Sequence, residues 1–439
     1  MLNSVTASAI MIILSFVLFF VLCMRNFGPI ASAIVCAVLV GLTAQSGIVT
    51  SFFTDFLTGT MNMAKSMALM FIFGGIFGEV MNASGSTRVI GRKLIDWFGV
   101  SRAPYVLFLL NAILIYAGVN SAMVICAYVG FGLFREANLP RTLACVAVAA
   151  SQPMIAATLP GAVGAPNVIP TTILGTDVYA APLIGVTAFI VATLCIFWYL
   201  NRLMKQFQAK GIGYDPLPDE DINAKSEQQD LPSAVLAFLP LVLVIVLTLF
   251  FTKCTPLPSA AVVVLAMAIP TVMVYIFNWN RIKGNKFEIV DSGIKVTLYP
   301  LLGTCFVVGY ATVVQDTAAY SALVNSIMNM NVSPYIVCVV GAALVAALCA
   351  DSIGGEAAFL TAFGSSLLEK GANAAAIHRL TALSASTLNS LPHCGSVVTA
   401  IAFMRVTHKE AYRHIAIVQI IVPIIYTIVG TVLAVLFYH

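Results

Sequence analysis

Long apolar stretches separated by short polar segments follow one another along the whole chain. A helix that crosses a bilayer needs about 20 apolar residues. Eight stretches approach or exceed that length, at residues 5–23, 28–48, 64–82, 178–200, 233–252, 257–278, 296–320 and 411–437. Two more, at 141–175 and 376–404, are long enough but contain polar interruptions. The pattern therefore predicts about ten membrane crossings.

The two interruptions resemble each other. Residues 158–161 read TLPG and residues 390–395 read SLPHCG, and they lie roughly half of the 439 residues apart. Polar, Pro- and Gly-broken backbone is tolerated at membrane depth only where it is buried in protein or lines a cavity. Broken helices at corresponding places in two halves indicate the binding site of a transporter. We therefore predict that the interruptions meet at a substrate site.

Two other segments, 104–134 and 335–368, are apolar at both ends and polar in the middle. Each apolar arm has about 12–15 residues, which is too short to cross a bilayer comfortably. Each segment is therefore predicted to be a re-entrant helical hairpin that enters and leaves by the same face.

The order of these segments predicts an internal repeat. Each half has three spans, a hairpin, a broken span and a final span, and five crossings per half require the second half to be inverted. The predicted fold is an all-α polytopic membrane protein with two inverted-topology repeats. The first repeat covers 1–204, with its broken helix at 141–175, and the second covers 232–439, with its broken helix at 376–404. The polar segment 205–231 is the predicted linker.

Composition agrees with a membrane protein, because 60% of residues are hydrophobic and 9% are charged, against about a quarter charged in soluble domains. The net charge of +4 does not indicate nucleic-acid binding, since the basic residues lie in short loops. Positive residues concentrate on the cytoplasmic side of membrane proteins. We therefore predict that both termini lie outside and the linker lies in the cytoplasm of a bacterial cell, because this orientation in the inner membrane makes nearly all Lys and Arg residues cytoplasmic. Lys253, Lys370 and Arg379 are exceptions.

The two hairpin tips and the two interruptions are expected to converge near the bilayer midplane. Free N–H groups of half-helices attract an anion, and free carbonyls can hold a cation. The predicted substrate-binding residues are Asn120, Ser121, Thr158, Gly161, Ser352, Asn389, Ser390, His393 and Gly395. The alternative is that these Ser, Asn and Thr side chains only cap helices and join them to one another.

Ionisable groups inside a membrane are costly and point to function. Asp351 and Glu356 at the second tip are predicted to carry a proton or bind sodium, or else they cap a helix at a hydrated hairpin mouth. His393 can change charge near neutral pH, so it could pair with a carboxylate or orient a hydroxyl; otherwise it is a core histidine. We predict no cofactor and no metal site, and the lack of Walker and HExxH motifs argues against ATP-driven transport and against an enzyme.

Three segments resemble the gluconate permease (GntP) family. They are residues 73–79 (FGGIFGE), 386–397 (STLNSLPHCGSV) and 407–410 (THKE), and the resemblance covers most of the chain. It implies a proton-coupled symporter of small hydroxylated acids such as gluconate, 3-hydroxybutyrate or D-serine. The wider ion-transporter superfamily implies a homodimer with an elevator mechanism. Spans 1–3 of each half, 232–320 in the second, would form the scaffold, and the hairpins and broken helices would move.

The chain departs from the family pattern at three places. Asn389 stands where members often have Asp, Cys394 where they have Asn or Ser, and residues 158–167 contain no histidine. Fewer donors favour a substrate less hydroxylated than gluconate. We therefore predict a secondary active symporter that imports a small organic monocarboxylate with protons. A sodium-coupled carboxylate or dicarboxylate carrier and a cation/proton antiporter are the alternatives.

Overall fold

The computed structural model describes residues 4–25, 27–116, 122–162, 165–216, 231–255, 257, 259–282, 286–328 and 332–438. These residues form helices and no β-strand, apart from an isolated bridge between Ala44 and Thr317. The predicted all-helical class is confirmed.

In the first half, the third and fourth helices are joined by a π-helical turn at Ser51–Phe56. The helices are α1 (Val5–Met24), α2 (Pro29–Gly41), α3 (Ile48–Thr50), α4 (Leu57–Ala83), α5 (Ser86–Phe98), α6 (Ala103–Tyr116), α7 (Ala122–Glu136), α8 (Arg141–Thr158), α9 (Ala165–Leu174) and α10 (Pro182–Ala209).

In the second half, the last two helices are joined by a π-helical turn at Ile417–Ile421. The helices are α11 (Ala234–Cys254), α12 (Ser259–Phe277), α13 (Lys286–Gln315), α14 (Ala318–Met328), α15 (Pro334–Cys349), α16 (Ser352–Glu369), α17 (Ala374–Leu388), α18 (Gly395–Phe403), α19 (His408–Ala416) and α20 (Val422–Phe437).

By length and composition, four of the described helices could cross a membrane unaided: Val5–Cys23, Pro182–Ala209, Lys286–Gln315 and His408–Phe437. Two bent pairs raise the number to six: Ile48–Lys65 with Ala68–Ala83, and Ser86–Phe98 with Val100–Tyr116. Shorter apolar helices lie at Pro29–Gly41, Ala234–Thr248, Val264–Phe277 and Pro334–Cys349. Fewer full-length spans are found than the ten expected, because several apolar stretches form helices shorter than a bilayer requires.

The ends of the central helices fall within the segments that the sequence marks as interrupted. α8 ends at Thr158 because Leu159 is extended ahead of Pro160, as the residue before a proline prefers. α17 ends at Leu388, and α18 begins at Gly395. Each of the two interrupted stretches therefore forms two helices separated by a few non-helical residues.

Small residues bring α4 and α13 into close contact. A Cβ added to Gly75 would lie 2.4 Å from the carbonyl oxygen of Gly293, and one added to Gly309 would lie 2.6 Å from that of Phe56, the last residue of the π-helical turn before α4. Residues without a side chain let helix backbones approach closely in a membrane. The helices that contain the third predicted span of each half, α4 and α13, are thus packed directly on each other.

The interrupted helices lie together in a second group of contacts. α17 packs against α8, α9 and α15, and α16 packs against α9 and α15. The interruption of each half therefore adjoins helices of the other half.

Candidate functional site

A cavity of about 190 Å³ lies between the second interruption, the α15–α16 connection and the start of α9. It is smaller than the roughly 300–1,000 Å³ of pockets for drug-sized ligands, so it suits a small molecule. Its polar lining residues are Gln152, Thr304, Asp351, Ser352, Ser386, Asn389, Ser390, Ser396, Thr399 and Gln419. Among the described residues that line it, Asp351 is the one ionisable side chain, and none is Lys, Arg or His.

The N-terminus of α18 opens on this cavity through Gly395 and Ser396. Its N-cap residue is Cys394, whose side chain makes no capping hydrogen bond; the thiol instead lies 3.2 Å from the Ser396 hydroxyl. The first N–H groups of a helix lack partners within the helix and carry partial positive charge. This end of α18 can therefore accept an anion.

The N-terminus of α16 differs, because its own N-cap side chain occupies it. Asp351 Oδ2 accepts a hydrogen bond of 2.7 Å from the Gly354 N–H, which fixes the start of the helix at Ser352. Asp351 and Ser352 both line the cavity. The site thus combines one helix end without a side-chain cap and one helix end that carries a carboxylate.

Asn389 and Ser390 line the cavity from the second interruption. The Ser390 hydroxyl donates to Asn389 Oδ1 at 3.3 Å. Together with Asp351, Ser352 and Gly395, they are the predicted site residues that the structure brings to one cavity.

Thr158 and Gly161 do not line it. The Thr158 hydroxyl donates to the Met154 carbonyl at 2.6 Å, within its own helix. Gly161 adopts a positive φ of 80°, which favours glycine, and its N–H donates to the Val178 carbonyl at 3.0 Å. In this structure both residues shape the first interruption. Asn120 and Ser121 lie outside the described residues.

Glu356 is fully buried on α16, about one helical turn after Ser352, and does not line the cavity. Within the described part of the chain, neither carboxylate oxygen has a hydrogen-bond partner. The neighbouring Thr381 hydroxyl donates instead to the carbonyls of Ile377 and His378, both at 2.9 Å. An unpaired buried carboxylate is costly in its ionised form.

His393 is buried next to the hairpin end rather than in the cavity wall. Its Nε2 lies 3.0 Å from the Ala347 carbonyl, so this nitrogen is the donor. The ring stacks on Phe16 with centroids 4.3 Å apart, and Tyr310 meets it edge-on. His393 therefore connects the second interruption to the end of α15 and to α1 and α13.

Arg379 is a residue whose role the sequence left open. It is fully buried on α17, and its guanidinium donates to the carbonyls of Ala157, Val178 and Ala180 at 3.0–3.3 Å. Ala157 belongs to the last turn of α8, so a cation from the second half binds the chain around the first interruption. Its position in a buried helix explains why it did not fit the distribution of loop charges.

His378, next to Arg379, binds the same region. Asn167 donates through Nδ2 to the carbonyls of Ala162 and Val178, so its Oδ1 accepts from His378 Nε2 at 3.0 Å. The other ring nitrogen lies 2.7 Å from the Thr176 hydroxyl. Both nitrogens are thus engaged in holding the loop around the first interruption.

Two glutamines in the cavity wall were also missed by sequence reasoning. Gln152 precedes Pro153 within α8, and Gln419 lies in the π-helical turn before α20. Such turns are frequent at functional sites. The sequence signal for each glutamine is a single amide residue within an apolar stretch. Such a residue is equally typical of a polar contact between two helices.

Comparison with known proteins is consistent with this architecture. The model of the GntP family permeases matches residues 6–436. The chain is also similar to a protein of Bacillus subtilis (strain 168) described as "Uncharacterized transporter YxjC". The two are 27% identical over 438 residues, covering 90% of this chain and 92% of that protein. The resemblance seen in the sequence is therefore confirmed: the chain is a multi-pass membrane transporter that belongs to the GntP permease family.

Proposed function

We propose that the protein is a secondary active symporter that imports a small organic monocarboxylate, such as gluconate or 3-hydroxybutyrate, together with protons. The observation that carries this proposal is the small cavity bounded by the uncapped N-terminus of α18 and by Asp351. The substrate carboxylate binds the N–H groups at Gly395 and Ser396. Ser352, Asn389 and Ser390 supply hydroxyl and amide groups for the rest of the molecule.

The proposed coupling of substrate and proton transport follows from the charges at the cavity. A bound carboxylate brings a second negative charge close to Asp351, and no basic side chain is found among the described lining residues. Like charges repel strongly in a poorly hydrated site. Carboxylate binding is therefore favoured when a cation enters with it, and a proton on Asp351 meets this requirement.

Glu356 and His393 are the further proposed coupling residues. Glu356 is buried and has no hydrogen-bond partner among the described residues, which favours the protonated acid, although the Arg379 cation attracts the ionised form. His393 contacts the end of α15, which leads directly to Asp351, so its charge state would affect the same tip. Thr158 and Gly161 act indirectly in this proposal, by shaping the first interruption beside the site. Asn120 and Ser121 remain proposed substrate-binding residues, although they lie outside the described part of the chain.

We further propose two inverted repeats, residues 1–204 and 232–439, that work as an elevator in a homodimer. In support, α1, α2, α4, α12 and α13 are linked by direct packing, as a scaffold requires. The packing of α8 and α9 on α16 and α17 suits a compact moving body. The superfamily resemblance supports the homodimer, and the distribution of basic residues supports outside termini in a bacterial inner membrane.

Sodium is the second candidate for the coupling ion, because Asp351 is also a suitable sodium ligand. A dicarboxylate is disfavoured, since the described cavity wall supplies no cation for a second carboxylate.

Uptake of radiolabelled gluconate and 3-hydroxybutyrate by proteoliposomes tests the proposal. We expect accumulation driven by an inward proton gradient and abolished by a protonophore. Uptake that instead follows an inward sodium gradient would identify the sodium carrier. Failure of thermal-shift screening to find any bound monocarboxylate would refute the substrate class, because a ligand of the folded state raises its apparent stability.

A further inference from the structure

Gln419 lines the cavity, and its amide oxygen has no partner among the described residues. The residue is 1% exposed, and its Nε2 donates to the Ala149 carbonyl at 2.7 Å. This bond identifies the amide nitrogen, so the remaining atom is the oxygen, an acceptor. No described group donates to it.

A second amide acceptor lies in the same wall. Gln152 Oε1 is buried and likewise has no donor among the described residues. A buried acceptor without a donor is costly, and most buried polar atoms are paired. Two such oxygens on residues that line the same cavity therefore favour a ligand that supplies donors.

We propose that Gln419 and Gln152 are specificity-determining residues that bind a hydrogen-bond donor, a hydroxyl or an ammonium, on the transported carboxylate. This inference rests on the proposed function and adds a selection rule to it. The α18 N-terminus holds the carboxylate, which is common to all monocarboxylates. The two amides then select those that also carry a donor, because an unsubstituted acid leaves the amide oxygens unpaired.

The cost of an unpaired amide oxygen is large enough to discriminate between acids with and without a donor group. Leaving a buried acceptor unsatisfied lowers affinity by about tenfold or more. A site built to bind a hydroxyl rejects the analogue that lacks it more strongly than an apolar pocket rejects an added hydroxyl. The glutamines are thus better suited than the apolar part of the wall to set substrate choice.

The test uses the purified full-length protein and three acids of equal chain length: butyrate, 3-hydroxybutyrate and 3-aminobutyrate. Dissociation constants are measured by titration in detergent for the wild type, Gln419→Met and Gln152→Met. Gln208→Met is the matched control, because Gln208 is exposed near the end of α10. Methionine keeps the length of the side chain and removes both the donor and the acceptor.

We expect the wild type and Gln208→Met to prefer a substituted acid over butyrate by about tenfold. Whether the hydroxy or the amino acid binds more tightly identifies the donor. In Gln419→Met and in Gln152→Met the ratio of the two dissociation constants falls towards one, because butyrate binding is retained and binding of the substituted acid weakens.

Three outcomes overturn the inference. Equal binding of all three acids by the wild type refutes it while leaving the proposed function intact. A loss of affinity that is the same for all three acids in both variants assigns the glutamines a structural role only. Absence of binding by these acids and by gluconate refutes the inference and the proposed function together. If Gln419→Met does not fold, Gln152→Met alone decides through the same ratio.

Discussion

Replacing Arg379 with methionine tests whether a buried cation from the second half holds the first interruption in place. The guanidinium donates to the carbonyls of Ala157, Val178 and Ala180. The Val178 carbonyl also accepts from two other groups, so it keeps partners in the variant. The other two oxygens lose their donors, at about 1–3 kcal/mol each.

The summed loss is about 2–6 kcal/mol. The variant also no longer buries a charge, which offsets part of this loss, but it loses the Coulombic attraction between Arg379 and Glu356. These two charge effects oppose each other, so we expect a net loss near the lower end of the hydrogen-bond range, at about 2–3 kcal/mol. With an unfolding entropy of about 2.1 cal/mol/K per residue, each kcal/mol lowers the Tm of a chain of this size by about 1 °C.

Thermal unfolding in detergent measures this shift. Arg379→Met is expected to lower Tm by about 2–3 °C. Arg379→Lys is expected to fall between it and the wild type, because an ammonium retains the charge but not the guanidinium's several donors. Arg102→Met is the control, since Arg102 is exposed. A Tm for Arg379→Met equal to that of the control would refute the reasoning.

Three further predictions concern coupling and packing. Asp351→Asn should bind 3-hydroxybutyrate with little dependence on pH and lose uptake driven by a proton gradient in proteoliposomes; retained gradient-driven uptake would remove Asp351 from the mechanism. His393→Ala deletes the hydrogen bond to Ala347 and the stacking on Phe16, so it should lower both Tm and uptake. An unchanged Tm, uptake rate and pH profile of uptake would contradict both its structural role and its coupling role. Gly185→Ala would place a Cβ 2.4 Å from the Thr158 carbonyl oxygen and should destabilise the protein by about 1–3 kcal/mol, seen as a lower Tm; a Tm equal to wild type would show that α8 and α10 can separate freely.

Much of the candidate site could be predicted from the local sequence. Pro160 and the segment around Pro392 mark the helix ends, because proline restricts its neighbour and lacks an N–H. The polar residues 351, 352, 389 and 390 could be singled out because uncompensated polarity is costly in an apolar stretch. These are effects of a residue on its own helix, and they need no knowledge of the neighbouring helices.

The positions of Thr158 and His393 relative to the cavity could not be predicted in this way. Thr158 bonds within its own helix, and His393 stacks on Phe16 from the opposite end of the chain. Which side of an interruption faces the ligand depends on how helices distant in sequence pack against it. Periodicity within one helix contains no information on that choice.

The sequence by itself determined the membrane environment, the helical class, the family and the two interrupted helices, because transfer of apolar surface and proline geometry act locally. Only the tertiary structure decided which groups share the cavity. It brought Gln152 and Gln419 to the same wall, where their amide oxygens have no donor among the described residues, and it placed the Arg379 guanidinium against the first interruption. The physical reason is that hydrogen-bond satisfaction is a property of three-dimensional neighbours, so an isolated polar residue in an apolar stretch acquires its role only once the helices are packed.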